Sequence, residues 1–372
     1  MKGMVIVDKG LEEIAMVEIA EKINVKCQSN DTVVLFPIKV EEDLCRLAYT
    51  SQSVRRVLLL IKEFEVNKSL EKSISMFKKS LNRKELKEYD GKKIGVECER
   101  IGEHDFSSVD FSKEVSRILH DFGFEIQRKE GSLIFYIYIK DKKAYFCIDF
   151  SGRDLSKRDY RIFTKSGSLK GTLGYALVRL SKYKSGEIFV DPYCESGIIP
   201  IEAALMSLNR PVNFYKKDFS FKKIDKKFEK IFDKENKKIK NKIKGIHALD
   251  KTLRNVHSSK KNAKIAGVEN NINFSKADIE WLDTKFEKGS VDKIVTKLPA
   301  ESKRHSKKQV EKMYEELFYQ SEFILKNKGL MVVCTLKNDL LKIIAKNKKF
   351  KVADEKVIYS GQQEHIATTF TK

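Results

Sequence analysis

Short apolar runs and longer stretches with apolar residues at every third or fourth position alternate along the whole chain. The runs are rich in Val, Ile, Leu and Phe and predict strands, whereas the spaced stretches predict amphipathic helices. Up to about residue 150 the two kinds of element are mixed. The predicted strands there are Met4–Val7, Thr32–Phe36, Val57–Phe64, Lys93–Glu99, Leu133–Ile139 and Ala144–Phe150, and the predicted helices are Leu11–Lys22, one from Glu41, 68–79 and 111–122.

The order of these elements divides the chain into three predicted domains. Residues 1–66 alternate strands and helices within a short length, which favours a small ferredoxin-like α+β unit. Residues 67–160 form a second mixed unit, and the polar segment Ser151–Gly171 reads as a connector to residues 161–372. From Thr172 onward, strands separated by helix-length segments favour a Rossmann-like α/β domain with a parallel sheet. Its predicted strands are Glu187–Val190, Gly245–Leu249, Ile272–Phe274, Lys293–Val295 and Leu330–Thr335.

The composition fits a chain with a sizeable core. Of 372 residues, 41% are hydrophobic and 34% are charged, with only 18 Gly and 5 Pro, which excludes collagen-like, Pro-rich and wholly disordered proteins. The longest apolar runs, such as Val57–Ile61, are far shorter than the roughly 20 residues that cross a bilayer, and the N-terminus lacks a secretory pattern. The six cysteines form no CxxC pair, so we expect a cytoplasmic protein without a metal site or a membrane segment.

The formal net charge of +21 points to an anionic partner. Nucleic acid is favoured over a membrane surface because 37 aromatic residues accompany the charge and no amphipathic anchor stands out. A general lysine bias in the composition is the alternative. The segment 216–244 shows that bias most strongly, with thirteen Lys against five acidic residues.

One string in the second half carries specific chemistry. In EIFVDPYCESGIIPIEAA, from Glu187 to Ala204, a strand ends at Asp191, a tight loop follows, and a helix opens near Gly197. Such a turn places backbone N–H groups and a helix N-terminus beside a ligand at the carboxyl edge of a sheet. Taken alone, it is equally compatible with an ordinary βα turn.

The string resembles the DPxCGSGTxxIEAA loop that binds S-adenosylmethionine in Rossmann-like RNA guanine-N2 methyltransferases. Further matches follow in the family's order: Asp250 ends GIHALD, the segment 262–268 (NAKIAGV) is similar to NAxxAGV, and Asp278 ends INFSKAD. The resemblance implies that Asp250 lies near the ribose and Asp278 near the adenine of the cofactor. The implied cofactor-binding residues are Asp191, Cys194, Ser196, Gly197, Asp250 and Asp278.

The first half resembles the RNA-binding half of the same enzymes. The strings at 96–117 (VECERIGEHDFSSVDFSKEVSR) and 146–161 (FCIDFSGRDLSKRDYR) are similar to a THUMP domain and its exit segment. In the family, this module and the ferredoxin-like unit before it hold the acceptor stem and 3′ end of tRNA. The resemblance and the basic character of these strings imply RNA contacts through Arg100, His104, Ser107, Arg117, Lys157, Arg158 and Arg161.

The methyl-transfer motif departs from its family. The family pattern TNLPYG aligns with Thr296–Glu301, so the catalytic positions are Lys297, Leu298 and Pro299. The family's Asn accepts hydrogen bonds from the target amine and its aromatic residue stacks on the target base. Here Lys297 offers donors only, and Ala300 cannot stack.

The cofactor loop departs as well. Glu195 replaces the family's Gly and brings a carboxylate toward that of the methionine moiety, and Ile198 replaces Thr. Three interpretations therefore remain open. The first is S-adenosylmethionine-dependent N2-methylation of a tRNA guanosine, and the second is a catalytically inactive relative that acts as a tRNA-binding chaperone or partner subunit. The third is that the cofactor pocket accepts a different ligand or a protein partner. The segment 216–244 is expected to dock a protein partner or to extend the RNA-binding surface.

Overall fold

The computed structural model describes residues 1–127, 132–165, 167–303 and 305–372. These residues form two sheets with helices packed against them. None of the described helices is both long and apolar enough to cross a membrane.

The first sheet runs through both predicted N-terminal units. Its strands are β1 Lys2–Val7, β2 Gln28–Asn30, β3 Val33–Pro37, β4 Val54–Glu65, β5 Lys93–Ile101, β6 Glu125–Ile126, β7 Leu133–Lys140 and β8 Lys143–Asp149, and its helices are α1 Glu12–Ile23, α2 Glu42–Thr50, α3 Leu70–Ser80 and α4 Ser108–Asp121. The strand order is β2-β3-β1-β4-β8-β7-β5-β6. Because β4 pairs with β8, one continuous sheet joins residues 1–66 to residues 67–160.

Strand β4 shows why the pattern folds this way. Val57 and Leu59 face the helices on one side, and Leu58 faces the other side among the buried rings of Tyr136 and Tyr138. Since successive side chains on a strand point to opposite faces, an unbroken apolar run predicts a strand covered on both sides. Strand β4 is such a strand, and it lies at the centre of the sheet.

The second sheet belongs to the C-terminal domain. Its strands are β9 Phe189–Asp191, β10 Ile246–Asp250, β11 Ile272–Lys276, β12 Val291–Lys297, β13 Leu325–Thr335, β14 Lys351–Ser360 and β15 Gln363–Thr371, and the helices of this half are α5 Gly171–Leu180, α6 Ile198–Ser207, α7 Phe221–Ile224, α8 Lys230–Asn236, α9 Leu253–Ala266, α10 Lys307–Ile324 and α11 Asp339–Asn347. The order is β11-β10-β9-β12-β13-β15-β14, with the first five strands parallel. The hairpin of β14 and β15, which is antiparallel, was not predicted.

The Lys-rich segment 216–244 packs against the N-terminal half of the same chain. Phe219 and Phe232 contact the buried ring of Tyr49 at centroid distances of 6.1 and 4.9 Å. Arg46 Nε donates to Glu235 at 3.0 Å. The apolar face of this segment is therefore occupied within the molecule, and its lysines are left at the surface.

Arg158 is a correction to the sequence-based expectation. Its side chain has no exposed surface, and its Nε donates to Glu202 Oε1 at 2.8 Å. Its other nitrogens donate to the backbone oxygens of Leu155 and Gln52. A guanidinium enclosed in this way does not meet an RNA phosphate. Arg158 instead ties the connector to α6 and to the loop before β4.

Candidate functional site

The carboxyl ends of β9, β10 and β12 meet at one edge of the second sheet, and this edge holds the candidate site. The loop after β9 turns into α6 through two residues with left-handed backbone, Glu195 at φ 47° and Gly197 at φ 80°. At Gly197 a Cβ atom would lie 2.8 Å from Cβ of Ser259. The position therefore requires glycine for both backbone conformation and space. Glu195 adopts the same conformation at a cost of roughly 1 kcal/mol.

Asp191 lies at the end of β9 and is buried. Burial raises the pKa of its carboxyl group to about 8. The backbone N–H of Tyr193 donates to its Oδ1 at 3.2 Å. Asp191 thus keeps its proton near neutral pH and stabilises the turn of the cofactor loop.

Asp250, at the end of β10, is fully buried, which corrects the expectation that its carboxylate meets a ribose. It accepts hydrogen bonds from the backbone and hydroxyl of Thr252, both at 2.9 Å. Asn255 donates to both of its oxygens, and the backbone N–H of Glu195 donates to Oδ2 at 3.1 Å. With every lone-pair direction used internally, Asp250 orders the cofactor loop and the start of α9.

The remaining predicted cofactor residues lie around the same loop. Cys194 is buried, and its backbone N–H donates to the oxygen of Leu249 at 2.8 Å. Ser196 is also buried. Asp278 is half-buried and accepts from the N–H of Ile279 at 2.7 Å. The structure therefore brings the six predicted residues to one edge of the sheet, with Asp278 the most open of the three carboxylates.

The predicted methyl-transfer positions lie at the end of β12, with Lys297 as its last residue and Leu298 and Pro299 after it. Lys297 Nζ donates to the backbone oxygen of Gly167 at 2.6 Å, so this side chain reaches across to the connector. Leu298 is buried, and its N–H donates to the oxygen of Cys334 at 3.0 Å. The oxygen of Pro299 accepts from the Tyr314 hydroxyl at 2.8 Å. The side chain at the acceptor position is thus a donor that is already committed to the protein backbone.

Sequence reasoning missed His365, which lies on β15 close to the methyl-transfer loop. It is buried, and among the described residues its Nδ1 has no hydrogen-bond partner. Burial, together with the nearby Lys297 and Lys170, lowers its pKa to about 4. No local signal marks this residue, because its position depends on the pairing of β15 with β13.

The predicted RNA-contact residues of the first sheet fall into two groups. Arg100 and His104 are half-buried and hydrogen-bonded to each other, and His104 Nε2 also lies 2.7 Å from the oxygen of Asp141. Ser107 caps α4, and Arg117 is 71% exposed and paired with Glu114. Arg117 is therefore open to a ligand, whereas Arg100 and His104 chiefly join β5 to the β7–β8 turn.

Two further predicted residues lie along the connector. Lys157 is exposed. Arg161 is half-buried, and its Nη2 donates to the oxygen of Ser168 at 2.7 Å. Arg161 and Lys297 thus hold neighbouring parts of the connector near the candidate site.

The comparisons with known proteins agree with this architecture. Residues 158–365, which are more than half of the chain, match the UPF0020 family, described as an RMKL-like methyltransferase domain. The chain belongs to this methyltransferase family. The predicted family and the Rossmann-like fold class are thereby confirmed.

Relatives of this methyltransferase-family protein are known from archaea. The tRNA (guanine(6)-N2)-methyltransferase of Methanocaldococcus jannaschii is 30% identical over an alignment of 338 positions that covers 86% of this chain and 87% of that protein. The protein of the same name from Archaeoglobus fulgidus is 25% identical over an alignment of 279 positions that covers 73% of this chain and 68% of that protein. The structure of SMU.472, complexed with SAH, shares the fold with a TM-score of 0.82 at 18% identity, and the match covers 100% of this chain and 97% of that chain.

Proposed function

We propose that this methyltransferase-family protein binds the acceptor stem and 3′ end of tRNA without methylating guanine N2. The observation that carries the proposal is the bond from Lys297 Nζ to the oxygen of Gly167. Orientation of an exocyclic amine for attack on a methyl group needs an acceptor at this position. An ammonium group has no acceptor, and Ala300 adds no aromatic surface for the target base.

The poor fit of the side chains to S-adenosylmethionine, the family's cofactor, supports the same proposal. The backbone of the cofactor loop retains the left-handed turn at Gly197, which suits close approach of S-adenosylmethionine. The side chains fit less well, because Asp250 has no exposed surface and Glu195 places a carboxylate in the loop. We therefore propose that S-adenosylmethionine binding is weak.

Methyl transfer to a tRNA guanosine is the second candidate function. It is favoured by the archaeal relatives, which are named for that activity, and by the retained backbone turn of the cofactor loop. In this alternative the carbonyl oxygens around Leu298 would orient the amine without a side-chain acceptor. The two candidates share tRNA binding and differ only in whether a methyl group is transferred.

We expect tRNA binding to depend steeply on salt, because the binding of phosphates by lysine and arginine releases counterions. Affinity should fall at least tenfold between about 50 and 200 mM salt, measured by filter binding of a tRNA transcript. Replacing Arg117 and Lys157 by Ala should lower the salt slope by about 1 for each phosphate that the variant no longer binds. Lys346→Ala with Lys351→Ala, which removes two exposed lysines from the C-terminal domain, is the matched control. Equal decreases in both variants would contradict an RNA path along the first sheet and the connector.

A further inference from the structure

A cavity of about 680 Å³ lies beside the cofactor loop. It is lined by residues 162–165 of the connector, residues 195–196 of the cofactor loop, and one face of α9 between residues 254 and 261. We call it the connector pocket. Its volume is within the range of small-ligand sites, which span roughly 300–1,000 Å³.

The lining of the connector pocket is strongly basic. Lys165, Arg254 and Lys261 are exposed, and no ion pair joins any of them to a carboxylate within residues 1–127, 132–165, 167–303 and 305–372. The lining contains one carboxylate, Glu195, against these three cations, and Ser258 adds a hydroxyl. Uncompensated cations gathered around a concave surface attract an anionic group, and arginine is especially suited to phosphate.

An aromatic ring lies at the rim of the same pocket. Phe163 is 39% exposed, and Lys261 Nζ lies 4.9 Å from its ring centroid. The neighbouring Ile162 is 63% exposed, so the connector presents two adjacent apolar side chains to solvent. Exposed aromatic rings beside cations are the surfaces on which unpaired bases stack.

The backbone of Phe163 is held in place by a side chain from α9. The N–H of Phe163 donates to Oδ1 of Asn262 at 2.9 Å, and Nδ2 of Asn262 donates back to the oxygen of Phe163 at 3.0 Å. Asn262 is fully buried and also donates to the oxygen of Ser196 at 2.9 Å. This clamp fixes the backbone of the exposed residue to both the helix and the cofactor loop. The backbone that carries the ring is therefore pre-organised, which lowers the entropy cost of binding.

We propose that the connector pocket binds one unpaired nucleotide of the RNA, with its base stacked on Phe163 and its phosphate held by Lys165 and Arg254. The phosphate of an unpaired nucleotide matches the cations of this lining, and the face of its base matches the aromatic ring. A nucleotide within a duplex does not offer both, because its base face is covered by stacking. The inference rests on the proposed tRNA binding and adds the place where the protein takes an unpaired base.

The test compares Phe163→Ala with a matched control in the full chain. Tyr319 is 57% exposed, and Lys348 Nζ lies 5.4 Å from its ring, so Tyr319→Ala removes a similar cation-flanked ring from α10. The probes are a tRNA transcript with unpaired 3′ nucleotides and a blunt, fully paired RNA duplex. Phe163→Ala should bind the tRNA at least about fivefold more weakly and the duplex unchanged. Phe163→Trp, which retains a stacking surface, should preserve tRNA affinity.

The outcomes separate this inference from the proposed function. Binding of tRNA by the unmodified chain with no loss in Phe163→Ala, or with the same loss in Tyr319→Ala, overturns the connector pocket and leaves the proposed function standing. Failure of the unmodified chain to bind tRNA overturns the proposed function, and the inference with it. Loss on both tRNA and duplex also overturns the inference, because stacking on an unpaired base is not available to a blunt duplex.

Discussion

Replacing Glu202 by Gln should lower the free energy of unfolding by about 3–5 kcal/mol. Glu202 lies on α6 with no exposed surface, and its oxygens accept from Arg158 at 2.8 Å, Tyr160 at 2.6 Å and Gln52 at 2.6 Å. The substitution leaves the buried guanidinium of Arg158 without the carboxylate of Glu202 as its counter-charge. It also replaces one carboxylate oxygen by an NH₂ group, which faces the donor groups that the oxygen had accepted from. Denaturant unfolding followed by circular dichroism measures the loss.

The matched control for this prediction is Glu21→Gln. Glu21 pairs with Arg179 at 2.6 Å, but its side chain is 54% exposed, so its loss should cost less than about 1 kcal/mol. If Glu202→Gln does not yield folded protein, the double variant Arg158→Met with Glu202→Met removes both charges and should recover much of the stability. Equal stabilities of Glu202→Gln and Glu21→Gln would contradict the structural role given to Arg158.

Replacing Asp191 by Asn should stabilise the protein progressively as the pH rises. The folded pKa of Asp191 is about 8, above the roughly 3.9 of an unfolded aspartate. Between these values the folded chain holds a proton that the unfolded chain has released, so the wild-type protein loses stability with rising pH. The difference from Asp191→Asn, which does not titrate, should grow by about 1.4 kcal/mol per pH unit between pH 5 and 7 and level off above pH 8.

Unfolding curves at several pH values measure this difference. Asp121→Asn, which removes an exposed carboxylate from α4, controls for the loss of one negative charge. The amide introduced by Asp191→Asn keeps an oxygen for the N–H of Tyr193, so the turn itself is retained. A difference that stays constant from pH 5 to pH 7 would show that Asp191 is ionised throughout, and would contradict its burial as a protonated acid.

The local part of the site was predictable from sequence because it is built from neighbours along the chain. The strand that ends at Asp191, the tight loop and the helix from Ile198 are contiguous, and glycine at 197 marks the left-handed turn. Asp250 and Asp278 were assigned to the site by the family resemblance, and their places after predicted parallel strands agree with it because the ends of such strands meet at one edge. What their carboxylates contact could not be predicted, since it depends on side-chain packing.

The rest depends on contacts between distant residues. Arg158 was predicted to contact RNA because it lies in a polar, basic connector. Its burial instead arises from Glu202, 44 positions away, and Gln52, 106 positions away. Strand β14, Lys351–Ser360, is mostly exposed and shows little apolar alternation, so only its pairing with β15 identifies it. The charge of segment 216–244 was evident from the sequence. The packing of its phenylalanines was not, because they contact Tyr49 in a distant part of the chain.

The measurement that tests the central claim most directly is transfer of a radiolabelled methyl group from S-adenosylmethionine to tRNA, followed by nucleoside analysis. The tRNA is added at a concentration at which filter binding shows the protein saturated, and the Methanocaldococcus jannaschii relative is run beside it to show that the assay works. We predict bound tRNA without N2-methylguanosine above background. Formation of N2-methylguanosine by the unmodified chain would contradict the claim and assign the chain to methyl transfer.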